Sequence, residues 1–410
     1  MDKSLTSQFF KANRDKLFSS LGSKVLIVTA NAVLQKSSDE AYDFNQDPSF
    51  WYLTGTLEAD LILVKTEYEE FIVVPNIYVS RQSVIEPLDE TKLKSISGVG
   101  QVLYEREGWA KIKTILAKSS SYATLSPNSV LLKHHGMYTN PARRQLVSRI
   151  RRMYPKLAIE DVRANVARLR MAKQPVEIKL IQKAIDITTA TLNEVLAYNN
   201  LSKYKNTSEI EEDILDGFIS RGADGHAFGP IVSSGPHTAY IHYQKLNEPL
   251  KSGDLIVCDV GSIYSLYKAD ITRTVIYGKP SARQQAVYDA VKRVQAEAYK
   301  MIKPGMDFKT YEDRVTELNG EELRKLGLIK KLDRKSIRKY YMTYCTHSLG
   351  LDTHDGADYS TPLPENMIMT VEPGIYIKEE GIGVRIEDDI QITKDGCKIL
   401  SSSLPLGLKL

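Results

Sequence analysis

Two aspartates stand in or beside apolar, β-branched runs between residues 254 and 278, DLIVCDVGSIYSLYKADITRTVIYG. Asp259 follows the first run, and Asp270 comes just before the second. The runs flank a turn region rich in glycine, serine and tyrosine, which predicts a β-hairpin. A carboxylate in a half-buried strand costs free energy unless it is paired, hydrogen-bonded or bound to a metal ion. Either aspartate alone also fits an ordinary turn or strand end, so the interpretation depends on the rest of the chain.

Two further segments place chelating side chains near predicted strand ends. The segment THSLGLDTHD carries His347 and His354. In TVEPGIYI, Glu372 follows an apolar run and stands directly before a Pro-Gly turn, which aims its side chain at a strand end. Each segment alone also fits a core histidine or a glutamate in a surface ion pair.

A third segment, GIGVRIEDDI, contains a basic and two acidic residues in alternation with apolar ones. We expect a strand over residues 384–393, in which Arg385, Glu387 and Asp389 share one face. The opposite face would carry Val384 and Ile386. The sequence thus offers four separate segments with side chains that can bind metal ions.

Together, Asp259, Asp270, His347, Glu372 and Glu387 resemble the five-ligand dinuclear metal site of the pita-bread metallopeptidases, which include methionine aminopeptidase, prolidase and Xaa-Pro aminopeptidase. The spacing of eleven between the aspartates (270 − 259), the SLGLDTHD context and the VEPG and RIEDD motifs all match that family. The segment DFNQDPSFWYLTG is similar to the hallmark of the creatinase-like N-terminal domain of aminopeptidase P and some prolidases. Methionine aminopeptidases lack that domain. The resemblance covers nearly the whole chain.

The resemblance implies how the five residues share two divalent ions. Asp259 would bind one ion, His347 and Glu372 the other, and Asp270 and Glu387 would bridge the pair. Four carboxylates balance the charge of two divalent cations, and the imidazole adds a neutral ligand. An oxygen-rich site with one nitrogen and no sulfur suits manganese, with zinc or cobalt as alternatives.

The same resemblance assigns supporting roles outside the ligand set. His354 is expected to contact the scissile carbonyl or the leaving amine, and His242, in AYIHYQ, to contact substrate at the mouth of the site. Arg385 is expected to orient His354 or a bridging carboxylate. One departure is Thr343, which stands in TYCTH where the family usually has a second histidine. We expect this replacement to alter the pocket that holds proline.

The implied activity is release of the N-terminal residue from Xaa-Pro-Yaa peptides by attack of metal-bound hydroxide. An Xaa-Pro bond is a tertiary amide with no N–H and a fixed φ, so general peptidases cut it poorly. Prolidase, which cuts Xaa-Pro dipeptides, has nearly the same motifs and remains the alternative. Non-peptidase binding proteins of this fold lack the ligands, and creatinase works without metal, so the complete ligand set favours a metallopeptidase.

The elements that would position these residues fall into two predicted domains, because 410 residues exceed one ordinary core. Residues 1–158 alternate strands with helices and are expected to form the creatinase-like α/β N-terminal domain. Residues 159–410 are expected to form the pita-bread catalytic domain, with antiparallel strands and segregated helices, so that the fold class is α+β. A capping box of Ser281 and Gln284 predicts a helix over residues 282–302.

Composition narrows the cellular context and the partners. A net charge of +4, from 55 basic and 51 acidic residues, is too balanced to indicate nucleic-acid binding, and no segment has the apolar length of a membrane span. Three widely spaced cysteines and an N-terminus without an apolar core favour a reducing cytoplasm. By resemblance, the partners are a peptide with N-terminal Xaa-Pro and further copies in a homodimer or homotetramer. The aromatic segment Phe50–Tyr52 is a candidate contact with a neighbouring active site.

Overall fold

The computed structural model describes residues 2–76, 88–127, 136–245 and 247–410. The chain divides into two compact units, Met1–Leu169 and Arg170–Leu410. The predicted boundary after residue 158 lies eleven residues before this division (169 − 158). The difference arises because the strand Ala158–Asp161 pairs with the sheet of the first unit, and the helix Arg163–Met171 follows it.

The first unit is built on one six-stranded sheet, as the α/β alternation predicts. Its strands are β1 (Val25–Thr29), β2 (Ile62–Thr66), β3 (Glu70–Val74), β4 (Gln101–Tyr104), β5 (Ser121–Thr124) and β6 (Ala158–Asp161), in the order β4-β3-β2-β1-β5-β6. Strand β2 runs antiparallel to both neighbours, and the other pairs are parallel. The described helices are α1 (Ser7–Ser19), α2 (Pro48–Thr54), α3 (Glu90–Ser97), α4 (Glu105–Leu116), α5 (Ala142–Met153) and α6 (Arg163–Met171), the last spanning the division.

The aromatic segment of the first unit is helical and buried. Asp47 caps α2 by accepting hydrogen bonds from the N–H groups of Ser49 and Phe50. The rings of Phe50, Trp51 and Tyr52 are at most 2% exposed, and those of Trp51 and Tyr52 meet phenylalanine rings of α1 edge to face. This corrects the expectation that the segment contacts a neighbouring active site, because its rings are buried in the core of their own unit.

The second unit combines antiparallel strands with helices, which confirms the predicted α+β class. Its strands are β7 (Gly225–His226), β8 (Ile231–Ser234), β9 (Asp254–Val260), β10 (Ser262–Tyr264), β11 (Tyr267–Lys268), β12 (Ile271–Tyr277), β13 (Ile368–Val371), β14 (Gly374–Ile377), β15 (Ile382–Arg385), β16 (Asp388–Thr393) and β17 (Gly396–Ile399). Its helices after α6 are α7 (Pro175–Val195), α8 (Tyr198–Leu201), α9 (Thr207–Ser220), α10 (Ala282–Met301), α11 (Phe308–Lys325) and α12 (Arg334–Arg338). The predicted capping box of Ser281 and Gln284 begins α10. Among the described residues, none of these helices is long and apolar enough to cross a membrane.

The predicted hairpin exists as the antiparallel pair β9 and β12. Asp259 lies opposite Thr272 in the register, and Asp270 immediately precedes β12. The connection folds into a second, shorter hairpin of β10 and β11. At its base, a Cβ on Gly261 would lie 1.7 Å from the carbonyl oxygen of Ala269, so only glycine fits this close crossing.

The predicted strand over residues 384–393 is broken. Glu387 lies in this break, and Glu372 lies in a matching break between the two strands that pair with it. Strand β15 pairs with β14, whereas β16 pairs with β13, so the chain changes sheet at Ile386 and Glu387. The segment that pairs with it changes sheet in the same way, between β13 and β14, at Glu372 and Pro373. Proline has no N–H to donate to a continuous ladder, which favours the interruption there. Glu372 and Glu387 therefore both lie at the place where the two sheets separate.

Candidate metal centre

The backbone brings three separate segments against the β9–β12 hairpin and against one another. Glu387 N donates to Thr272 O at 3.0 Å, which ties the break after β15 to the hairpin. Glu372 N donates to Cys345 O at 2.8 Å, and Thr370 N donates to His347 O at 3.0 Å. These bonds place the segment that carries His347 beside the strand end that carries Glu372.

The side-chain atoms that could bind metal converge in four of the predicted ligands. One ligand atom each of Asp270, His347 and Glu387 lies within 4.8 Å of the others. The Nε2 atom of His347 is 3.2 Å from Glu372 Oε1 and 3.5 Å from Asp270 Oδ2. Asp270 and Glu387 are 4% and 2% exposed, so the cluster is largely withdrawn from bulk water.

Asp259, the fifth predicted ligand, lies opposite Thr272 in the hairpin, and its charge acts on Asp270. Its Oδ2 accepts a hydrogen bond from the buried guanidinium of Arg385. Within the described residues, its buried Oδ1 has no hydrogen-bond partner. A buried carboxylate oxygen without a partner is costly, and a metal ion is one of the few groups that satisfies it.

The electrostatics of the cluster show an excess of negative charge. The pKa of Asp270 is raised to about 7, chiefly by burial and also by the nearby charges of Asp259 and Glu372, against the opposing effect of His347. Burial and the same carboxylates raise the pKa of Glu387 well above its usual range. Burial alone would lower the pKa of His347, but its contacts with Asp270 and Glu372 hold that pKa well above its ordinary value. Four crowded carboxylates with one imidazole are a donor set that fits two divalent cations.

The ring of His347 is oriented by its own backbone. Its Nδ1 lies 3.1 Å from the carbonyl oxygen of Ser348, which can only accept. Nδ1 therefore carries the hydrogen, and Nε2 faces the carboxylates of Asp270 and Glu372 as a ligand atom.

Thr272 links two predicted site residues, and the sequence interpretation missed it. Arg385 Nε donates to Thr272 Oγ1 at 3.0 Å, and Thr272 Oγ1 donates to Glu387 Oε2 at 2.6 Å. Because Thr272 lies two residues after Asp270, it shares that residue's face of the hairpin, which is the signal that could have identified it. The chain of bonds fixes Glu387 and Arg385 together.

We expect Thr272→Val to lower kcat about tenfold and to weaken metal retention, because Glu387 loses a buried donor while the side-chain volume is preserved. The measurements are peptide turnover and metal content after dialysis. Thr316→Val is the matched control, since its buried hydroxyl donates to the backbone of Glu312 within α11. Equal losses in the two variants would contradict a specific role for Thr272.

Arg385 lies beside the predicted ligands, but its direct partners are not the His354 or bridging carboxylate that were expected. Its hydrogen bonds go to Asp259, Thr272 and the hydroxyl of Tyr376, the last at 2.9 Å. It therefore reaches the predicted bridging residue Glu387 through Thr272. Asp389, two residues further on, accepts a hydrogen bond from Asp270 N at 3.1 Å. Arg385, Glu387 and Asp389 therefore all contact the hairpin, although the strand that carries them is broken.

The two predicted substrate histidines differ in placement. The ring of His354 lies 4.2 Å from that of His347, measured between centroids, at the exposed edge of the cluster. His242 is exposed in the turn after a 3₁₀ helix, Gly235–Ala239, and the described contacts do not join it to the five predicted ligands. Thr343, which replaces a family histidine, accepts a hydrogen bond through its carbonyl from Arg338 Nη1 at 2.5 Å.

Glu312 is a buried carboxyl behind the segment that carries His347. Both its oxygens accept from Cys345 N, at 3.0 and 3.1 Å, and burial raises its pKa from 4.5 to about 8. Between these pH values the folded state holds a proton that the unfolded state has lost. The free energy of unfolding contributed by Glu312 therefore falls as the pH rises from about 4.5 to 8.

Glu312→Gln should remove this loss, because the amide stays neutral at both ends of the range. Thermal unfolding of the chelator-treated protein at pH 5.5 and pH 8.5 measures the effect. We expect the melting temperature of the variant, relative to the parent, to be higher at pH 8.5 than at pH 5.5. A difference that does not change with pH would contradict the raised pKa.

Each of the two units matches a known protein family. Residues 179–394 match the model of metallopeptidase family M24, and residues 10–122 match the aminopeptidase P N-terminal domain. The chain is 31% identical to a Xaa-Pro aminopeptidase of Haemophilus influenzae, over 98% of this chain and 95% of the relative. It is 30% identical to human Xaa-Pro aminopeptidase 3, over 93% of this chain and 79% of the relative. The solved aminopeptidase P of E. coli, with the inhibitor Pro-Leu, matches with a TM-score of 0.84 at 25% identity, covering 98% and 96% of the two chains.

Proposed function

This chain belongs to metallopeptidase family M24 and carries an aminopeptidase P N-terminal domain, and on that basis we propose that it releases the N-terminal residue from peptides whose second residue is proline. It is a hydrolase of peptide bonds, as its match to metallopeptidase family M24 and its Xaa-Pro aminopeptidase relatives together indicate. The observation that carries the proposal is the buried convergence of Asp270, His347, Glu372 and Glu387 beside Asp259. Proteins that only share the fold have no need of such a costly cluster of charges.

The five residues would hold two divalent ions, with Asp259 on one, His347 and Glu372 on the other, and Asp270 and Glu387 between them. Manganese is the metal we propose, with zinc or cobalt as alternatives, because four of the five ligands supply oxygen. When bound, such a pair of ions supplies an activated water and polarises a carbonyl oxygen.

The chain's own residues bind and orient the peptide. The free α-amine of the first residue would lie near the carboxylates of the metal centre, which limits cleavage to one residue from the N-terminus. His354, beside His347, donates a hydrogen bond to the scissile carbonyl or protonates the leaving proline nitrogen. Arg385 holds the carboxylate of Asp259 in place and compensates part of the charge that surrounds it. His242 contacts the peptide at the entrance of the site.

A comparison of two substrates tests the proposal. The purified protein is loaded with manganese and offered an Xaa-Pro dipeptide and an Xaa-Pro-Yaa tripeptide of the same first residue. The proposal predicts release of Xaa and Pro-Yaa from the tripeptide. Cleavage of the dipeptide alone would overturn it in favour of prolidase activity.

The cellular setting and the assembly complete the proposal. Cys258, Cys345 and Cys397 are free thiols, and two of them are buried, which supports a reducing cytoplasm. We propose a homodimer or homotetramer, on the resemblance alone, and light scattering of the purified protein tests it. A monomer at micromolar concentration would contradict the proposed assembly.

A further inference from the structure

A short loop, residues 347–355, joins the two histidines of the site. Asp355, directly after His354, donates its N–H to Ser348 O at 2.8 Å, and Ser348 directly follows His347. This bond closes the loop at its base and returns the chain to its starting point. The exposed ring of His354 thereby comes to lie 4.2 Å from that of His347. The position of His354 depends on the geometry of this closure.

Two buried cations hold the carboxylate of Asp355. Lys173 Nζ donates to Oδ2 at 2.8 Å, and the guanidinium of Arg170 donates to Oδ1. The three side chains are 1%, 5% and 2% exposed for Lys173, Arg170 and Asp355. Lys173 Nζ also donates to Arg170 O at 2.7 Å. A buried ion pair with its hydrogen bonds satisfied fixes position strongly, because removal of one member leaves an uncompensated charge.

The loop is also fixed against the strand that leads to a predicted metal ligand. Lys268 N, at the end of β11, donates to Gly350 O at 3.0 Å, two residues before Asp270. A Cβ on Gly350 would lie 2.5 Å from Asp355 Oδ2 and 3.1 Å from Lys173 Cε. The loop therefore packs directly on the Lys173–Asp355 pair, without room for a side chain between them.

We propose that Asp355 is a positioning residue that holds His354 beside the metal centre, with Lys173 and Arg170 as its anchors. The inference rests on the proposed function, because it assigns to Asp355 an effect on the hydrolytic role of His354. His354 lies at the exposed edge of the cluster, and the loop backbone that ends at Asp355 sets its place. A displacement of about 1 Å at a reacting group can cost roughly a hundredfold in rate.

A double-mutant cycle separates positioning from general stabilisation. We expect Asp355→Asn to lower kcat by about ten- to a hundredfold, with KM within about twofold of the parent and metal content unchanged. In a His354→Ala background, Asp355→Asn should cause no further loss beyond about twofold. An equal loss of kcat in both backgrounds would overturn the proposal.

Two further variants keep the test informative. The pair Lys173→Met and Asp355→Asn removes one charge of each sign and leaves Arg170 with Asp352; it should fold and show the same kcat loss if Asp355→Asn alone does not fold. Asp313→Asn is the control, because Asp313 lies outside the loop and pairs with Lys309 at the surface of α11, and it should keep kcat near the parental value. Parental kcat in the charge-balanced pair would overturn the proposal. Failure of the proposed function would appear separately, because the unmutated protein would then cut only the dipeptide. The double-mutant cycle can still be run with that dipeptide as substrate.

Discussion

Asp270→Ala is expected to abolish both peptide hydrolysis and metal loading, with turnover lowered by more than about 1,000-fold. Asp270 is the predicted bridging ligand at the centre of the cluster, 3.5 Å from His347 Nε2 and 4% exposed. Its removal opens both proposed metal positions at once, whereas the remaining carboxylates lose a source of repulsion. The protein should therefore stay folded while its bound metal falls. Elemental analysis and turnover of the tripeptide measure the two effects.

The control for Asp270→Ala is Asp313→Ala. Asp313 lies on α11, where it pairs with Lys309 at the surface, so its loss should leave turnover and metal content unchanged. If Asp270→Ala retains two ions per chain, Asp270 does not bridge them. If it loses metal but keeps full turnover, hydrolysis does not depend on this centre.

His354→Ala is expected to lower kcat by roughly 100-fold while metal content stays at the parental level. The expectation follows from the position of His354, which lies beside the predicted ligand His347 but outside the ligand set. KM should change little, since the side chain acts on the scissile bond rather than on the remainder of the peptide. Steady-state kinetics with the tripeptide, together with elemental analysis, separates this result from loss of metal.

His237→Ala serves as the matched control for His354→Ala. The ring of His237 stacks on Tyr243, and its Nδ1 lies 3.1 Å from Glu248. Turnover should therefore remain near that of the parent. Metal loss in His354→Ala would contradict a role outside the ligand set, and unchanged kcat would contradict any role in the reaction.

The sequence was most informative where a residue type conflicted with its surroundings. Asp259 and Asp270 stood out because carboxylates do not belong in apolar runs without a partner, and the structure places both in the predicted hairpin. The alternation in residues 384–393 placed Arg385, Glu387 and Asp389 on one face, and all three contact the hairpin, although Asp388 also reaches it through Arg273. It could not predict the break at Ile386 and Glu387, because alternation looks the same whether the chain keeps one sheet or changes to another.

Contacts between distant segments could not be predicted in the same way. Thr272 looks like an ordinary strand threonine until Arg385 and Glu387 are placed on either side of it. The Asp355 pair joins residues 182 positions apart in the chain, and nothing in either local sequence indicates the other. The aromatic residues of Phe50–Tyr52 were misread for the same reason, since their burial depends on the packing of α1.

The charge of the centre ties these observations together. Asp259, Asp270, Glu372 and Glu387 act on one another electrostatically, and Arg385 is the buried arginine that meets them. One guanidinium does not balance four carboxylates, so the folded protein gains stability from any group that brings more positive charge. Metal binding should accordingly raise the melting temperature, and the effect should be weaker in Asp270→Ala.

The most direct test of the dinuclear centre is the metal content of the active enzyme, measured by elemental analysis alongside tripeptide turnover during manganese titration of chelator-treated protein. The account predicts that turnover rises with bound metal and reaches its maximum at about two ions per chain. Full turnover in protein that contains no metal would contradict it.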